Sequence, residues 1–241
     1  MLMSIGGLVP LPSDALVSPV TFKVQRRNLR GILVEFDAKE TGNRELSGEW
    51  VVGRKTWQRM QTDWKAANKS DPALNKPTGT PLGRPTESLA RKERVILYIH
   101  GGSKPPKGFL SSRSRLLMPV CLGAYYLSSA AAQRIISIPL AKFTDCRVFG
   151  KVTAFHPFRP SYSKIAVDYR LAPETCFPGP LHDVVCAYLR LVDDLHIPPE
   201  NIIVAGDSAG GGLSLALLMY LRDNGYALPS GAILLSPWVG Q

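Results

Sequence analysis

Short unbroken apolar runs alternate along this chain with longer runs in which apolar residues recur every three or four positions. RVILYIHGG (94–102), IIVAGDS (202–208) and GAILLSPWV (231–239) read as buried strands, the first entering a glycine turn. CRVF (146–149) and IAVDYR (165–170) are further strand material. Helical spacing marks LSSAAAQRIISIPLAKF (127–143), which opens at a serine cap, and PLHDVVCAYLRLVDDL (180–195). It also marks AGGGLSLALLMYLRDNG (209–225), which stops at Asn224-Gly225. Strands alternating with helices predict an α/β fold, a mostly parallel sheet with helices on both faces.

The first third of the chain is less regular. Residues 20–36 mix alternation with basic residues and read as short extended or irregular structure. EWVVGRKTWQRMQTDWKAA (49–67) reads as an amphipathic helix, with Trp57, Met60 and Trp64 on one stripe that is expected to pack into the core. Residues 68–88 are rich in Pro, Gly, Ser and Thr and read as a linker.

Composition narrows the class. With 45% hydrophobic and 20% charged residues in 241, the chain holds enough apolar material for a core and is no disordered or collagen-like sequence. No apolar run approaches the roughly 18 residues of a membrane span. The first twenty residues are interrupted by Pro10, Pro12 and Asp14, and no cationic stretch precedes them, so a cytoplasmic protein is expected. Cys121, Cys146, Cys176 and Cys186 show no C-x-x-C spacing and are expected to be free thiols. Residues 103–123 and 151–165 contain no acid and supply seven of the ten excess positive charges. The basicity is therefore local, and without aromatic platforms or a groove-reading helix it does not predict a nucleic-acid partner.

Gly206-Asp207-Ser208-Ala209-Gly210 matches G-x-S-x-G. The pattern alone is weak; its position between an apolar strand and an apolar helix is what a nucleophile elbow needs. A turn that sharp strains the Ser208 backbone, and small neighbours at Gly206 and Gly210 avoid clashes. His100-Gly101-Gly102 ends the strand before it, and backbone amides of a glycine turn approach a substrate oxygen closely. His100 is expected to brace that turn rather than act as a base.

HGG (100–102), DYRLAPE (168–174) and GDSAGG (206–211), in this order, resemble the hormone-sensitive-lipase-type branch of the α/β-hydrolases, also called alpha/beta hydrolase fold-3. The resemblance runs over about residues 94–239, and the upstream SGEWV segment looks like the cap side of fungal members. It implies a serine hydrolase acting on carboxylic esters of small molecules, with no metal or organic cofactor. It implies Ser208 as nucleophile and Gly101, Gly102 and Ala209 as oxyanion donors. Asp168, Arg170 and Glu174 would tie down a strand end and the turn after it. The implied division is an N-terminal cap-like segment and linker, 1–90, and an incomplete hydrolase core, 91–241.

Three departures stand out. A triad in this fold runs Ser, then Asp or Glu, then His. Yet His100, His156, His182 and His196 all precede Ser208, and the only later acid is Asp223. His182-Asp183 begins an amphipathic helix and reads as surface or cap. Without a base the serine keeps its proton, so this polypeptide is expected to be inactive or nearly so. The family would read HGGAYY and CRVFAVDYR, and removal of 103–123 and 150–165 restores both. The departures begin at Gly102, Gly150 and Gly240, glycines whose codons can hold an intron start. Two readings stand: retained introns with truncation, or natural loop insertions. On the second, the 151–165 segment would break a central strand and eject CRVF. A non-catalytic small-molecule binder on the same fold is the alternative function.

Overall fold

A computed structural model describes residues 14–70, 94–101, 130–154 and 175–239. In chain order the elements are β1 (Ala15–Lys23), α1 (Val34–Ala38), β2 (Glu45–Gly53), α2 (Arg54–Ser70) and β3 (Val95–Ile99). They continue with α3 (Ala130–Phe143), β4 (Arg147–Ala154), α4 (Gly179–Leu189), β5 (Ile202–Asp207), α5 (Ser208–Asp223) and β6 (Gly231–Leu235).

The six strands form one sheet in the order β1-β2-β4-β3-β5-β6. β4, β3, β5 and β6 run parallel, and β1 and β2 join as antiparallel strands on the β4 side. Alternation along β3 feeds both faces of the sheet. Val95, Leu97 and Ile99 enter the core beneath α4 and α5, with Val204, Val185, Leu217 and Leu221. Ile96 and Tyr98 enter the opposite core, with Val148, Ala205 and Ile138. A parallel strand covered on both faces must be apolar throughout, and all five residues of β3 are buried.

Several expectations are corrected. β1 and β2, from the N-terminal segment, are strands of the same sheet as β3 to β6. Glu49–Gly53 belongs to β2 rather than to the helix, since Val51 and Val52 pair with β1 and bury in the sheet. The tryptophan stripe faces outward: Trp57 is 41% and Trp64 66% exposed. α2 is held instead through Thr56, whose hydroxyl donates to Asp145 Oδ1 at 2.9 Å, and through the Arg59–Asp145 pair. β6 lies at the edge of the sheet, with exposed residues at four of its five positions. CRVF, which the loop-insertion reading would eject, stays in the sheet. Val148 and Phe149 pair with both β2 and β3, and the strand continues through Gly150 to Ala154.

α4 is buried almost all round, so His182 and Asp183 are fully buried rather than at the surface. Arg44 serves both. Its Nη1 donates to Asp183 Oδ1 at 2.7 Å, its Nε to Glu40 Oε1 at 2.7 Å and its Nη2 to His182 Nδ1 at 3.2 Å. A guanidinium only donates, so in this contact Nδ1 accepts and a ring proton lies on Nε2. That nitrogen faces Cys186 Sγ at 3.7 Å. Burial, with the Asp183 charge adding, pushes the Cys186 thiol up to about 12. Iodoacetamide at about pH 8 is therefore expected to modify exposed Cys176 in the native chain and to reach Cys186 only after unfolding. Peptide mapping that found Cys186 labelled as fast as Cys176 would contradict this core.

Candidate active site

The site is assembled where β3 and β5 end side by side, Ile99 pairing with Gly206. β5 stays extended through Asp207, at φ −113° and ψ 146°. Ser208 then turns to φ +51°, a left-handed conformation that L-residues rarely adopt, and α5 begins at once. Holding a serine there costs on the order of 1–3 kcal/mol and persists only where the surroundings impose it. Here they do. A Cβ on Gly206 would lie 2.5 Å from both Gly210 O and Ser214 Oγ. A Cβ on Gly210 would lie 2.2 Å from Ile99 O and 2.4 Å from His100 O. Both glycines thus let backbone touch backbone, and the chain passes from strand to helix in a single residue.

The first turn of α5 is also closed from the other side. The Trp238 amide donates to Ser208 O at 2.8 Å, and a Cβ on Gly212 would lie 2.0 Å from Trp238 O. The side chain of Ser208 remains partly exposed at the C-terminal ends of the parallel strands. The amide of Ala209, in the first turn of α5, has no partner within the helix and sits at its positive end.

His100 is fully buried, and its Nδ1 lies 2.6 Å from Gly101 O. A carbonyl only accepts, so Nδ1 carries the proton and the ring braces the turn. Gly101 is packed against the elbow: a Cβ there would meet Asp207 O and Oδ2, each at 2.7 Å, and Ser208 Cβ at 2.9 Å. Its amide, however, donates to Asp207 Oδ1 at 3.0 Å. The Gly101 amide, expected as an oxyanion donor, is thus engaged by a carboxylate here. Gly102, Asp168, Arg170 and Glu174 lie outside the described residues, as does His156.

Sequence reasoning overlooked Tyr98. Its hydroxyl donates to Asp207 Oδ1 at 2.6 Å, so one carboxylate oxygen holds both the Tyr98 side chain and the Gly101 amide. The available signal was the alternation in β3: Tyr98 pairs with Ala205, so it shares a sheet face with Asp207, two residues on. Among the described histidines none stands beside Ser208 as a base. His100 faces the turn backbone, His182 is held in α4, and His196 precedes β5, at the opposite end of that strand from Ser208.

Known proteins resemble this chain in sequence and in fold. Residues 162–241 match the family model described as alpha/beta hydrolase fold. The chain is 33% identical over 145 residues to an acetyl-hydrolase of Streptomyces hygroscopicus, covering 60% of this chain and 36% of that protein. It is 33% identical over 129 residues to an esterase of Acinetobacter venetianus, covering 54% of this chain and 37% of that protein. The structure matches a crystal structure of an esterase from the bacterial hormone-sensitive lipase family with a TM-score of 0.52 and 25% identity. That match covers 98% of this chain and 48% of the esterase. The chain thus spans less than half the length of each. No helix among the described residues is long and apolar enough to cross a membrane. The chain has the α/β-hydrolase fold, and these relatives are an acetyl-hydrolase and esterases.

Proposed function

We propose that Ser208 is the nucleophile of a carboxylic ester hydrolase. Its hydroxyl attacks the ester carbonyl, the alcohol leaves, and water releases the acid from an acyl-serine. The amide of Ala209, with that of Gly102, would hold the tetrahedral oxyanion, each donor worth about 3 kcal/mol of barrier lowering. The reading rests on one observation: the serine at φ +51° between an apolar strand and an apolar helix, with glycine contacts on both sides. The acetyl-hydrolase and esterase names of the relatives support an ester as substrate.

All four histidines precede Ser208, against the Ser, acid, His order of a triad in this fold, so slow turnover of the 241-residue polypeptide is expected. Hydrolysis of p-nitrophenyl acetate is the test. The expected result is a low rate that Ser208→Ala reduces to the solvent background. A rate unchanged by that substitution would remove Ser208 from the chemistry. Saturable ligand binding without any acyl transfer would instead favour the non-catalytic binder.

A further inference from the structure

The side chain of Asp207 is the centre of a contact that the acyl-transfer reading does not use. Its Oδ1 accepts from the Tyr98 hydroxyl at 2.6 Å and from the Gly101 amide at 3.0 Å. These groups come from two neighbouring strands. Tyr98 lies in β3 and is buried, Gly101 lies two residues beyond the end of β3, and Asp207 is the last residue of β5. We propose that Tyr98 is a positioning residue: its hydroxyl orients the Asp207 carboxylate so that it clamps the Gly101 amide and docks the His100-Gly101 backbone on the nucleophile elbow.

The chemistry supports this division of labour. An ionised carboxylate accepts only, and both partners here are donors. A hydroxyl-to-carboxylate bond of this length is of the strong, charge-assisted kind. Burial above all, and then the Asp207 carboxylate, push the ionisation of Tyr98 far above the usual tyrosine range. The phenol therefore remains a donor wherever the protein is folded. The steric side is equally tight, since a Cβ on Gly101 would lie 2.7 Å from Asp207 O. The turn is thus close enough to the elbow that its direction is decided by where Asp207 points. Asp207 is free of one competing duty: its side chain makes no capping bond to α5, although it occupies the N-cap position.

The proposal deepens the hydrolase reading and, for its functional meaning, rests on it. Its test does not depend on turnover. Hydrogen exchange of the 15N-labelled 241-residue chain would be followed at the amides of Gly101 and Val204, comparing wild type with Tyr98→Phe. Phenylalanine keeps the ring and removes only the donor. Loss of the clamp is expected to speed exchange at Gly101 about tenfold while Val204, in the middle of β5, changes by less than about twofold. Equal acceleration at both amides would mean that Tyr98 only stabilises the sheet, and no change at Gly101 would mean that the hydroxyl does not set the clamp. Either result overturns the proposal. A second variant, Asp207→Ala, removes the acceptor and should accelerate Gly101 at least as much as Tyr98→Phe. Failure to do so overturns it as well. The p-nitrophenyl acetate result for Ser208→Ala bears on the nucleophile alone, so the two readings fail separately.

Discussion

Replacement of Gly210 by alanine is expected to cost about 4 kcal/mol of stability, enough to leave a marginal domain largely unfolded at 25 °C. The new methyl carbon would sit 2.2 Å from the carbonyl oxygen of Ile99 and 2.4 Å from that of His100. Those oxygens belong to the end of a central strand, and a strand held on both sides cannot swing away as a flexible side chain would. To admit the methyl, either α5 must lift from the sheet or the turn at His100 must move. Both dismantle the elbow. Urea denaturation measures the loss as a fall in midpoint at unchanged slope. Gly150→Ala is the control, since a Cβ there meets nothing within 4 Å, and its expected change is within about 0.5 kcal/mol. Equal effects of the two substitutions would show that the close approach at Gly210 is absent.

The second large effect is expected away from the site. Arg44→Met should destabilise the fold by about 3–5 kcal/mol, because it strands a fully buried Asp183 carboxylate and removes the donor to His182. In the native cluster burial acts to lower the pKa of Arg44, but Asp183 and Glu40 more than offset it, and the guanidinium stands above its ordinary value. The pH dependence has a definite sign. Without its cation the buried carboxylate takes up a proton on folding, so the folded state of Arg44→Met binds more protons than the unfolded one. Its stability then falls as pH rises, and its deficit against wild type shrinks as pH is lowered towards the carboxylate range. Denaturation midpoints at about pH 7 and pH 5 check this. A deficit that grew on acidification would contradict the assigned pairing.

The buried polar cluster and the elbow share one origin. Both depend on residues far apart in sequence: Glu40 and Arg44 meet His182 and Asp183, and Tyr98 meets Asp207. In each case the backbone elements are specified locally, and the partner of each polar group is chosen by packing.

That division separates what was readable from what was not. The runs VILYI and IIVA have no polar position to turn towards water, so their identity as doubly covered parallel strands followed from residue type alone. The strained serine was equally legible, because glycine two residues before and two after a serine, between apolar strand and helix, permits few other shapes. Outward-facing Trp57 and Trp64 were not legible, since a helical stripe states which residues share a face but not what covers that face. The joining of β1 and β2 to the sheet was hidden for a similar reason, strand pairing being a choice among distant partners of similar propensity. The direction of the Gly101 amide was decided last and least locally. Every backbone N–H needs an acceptor, but only the approach of β5 to β3 brought the carboxylate of Asp207 within 3.0 Å of this one.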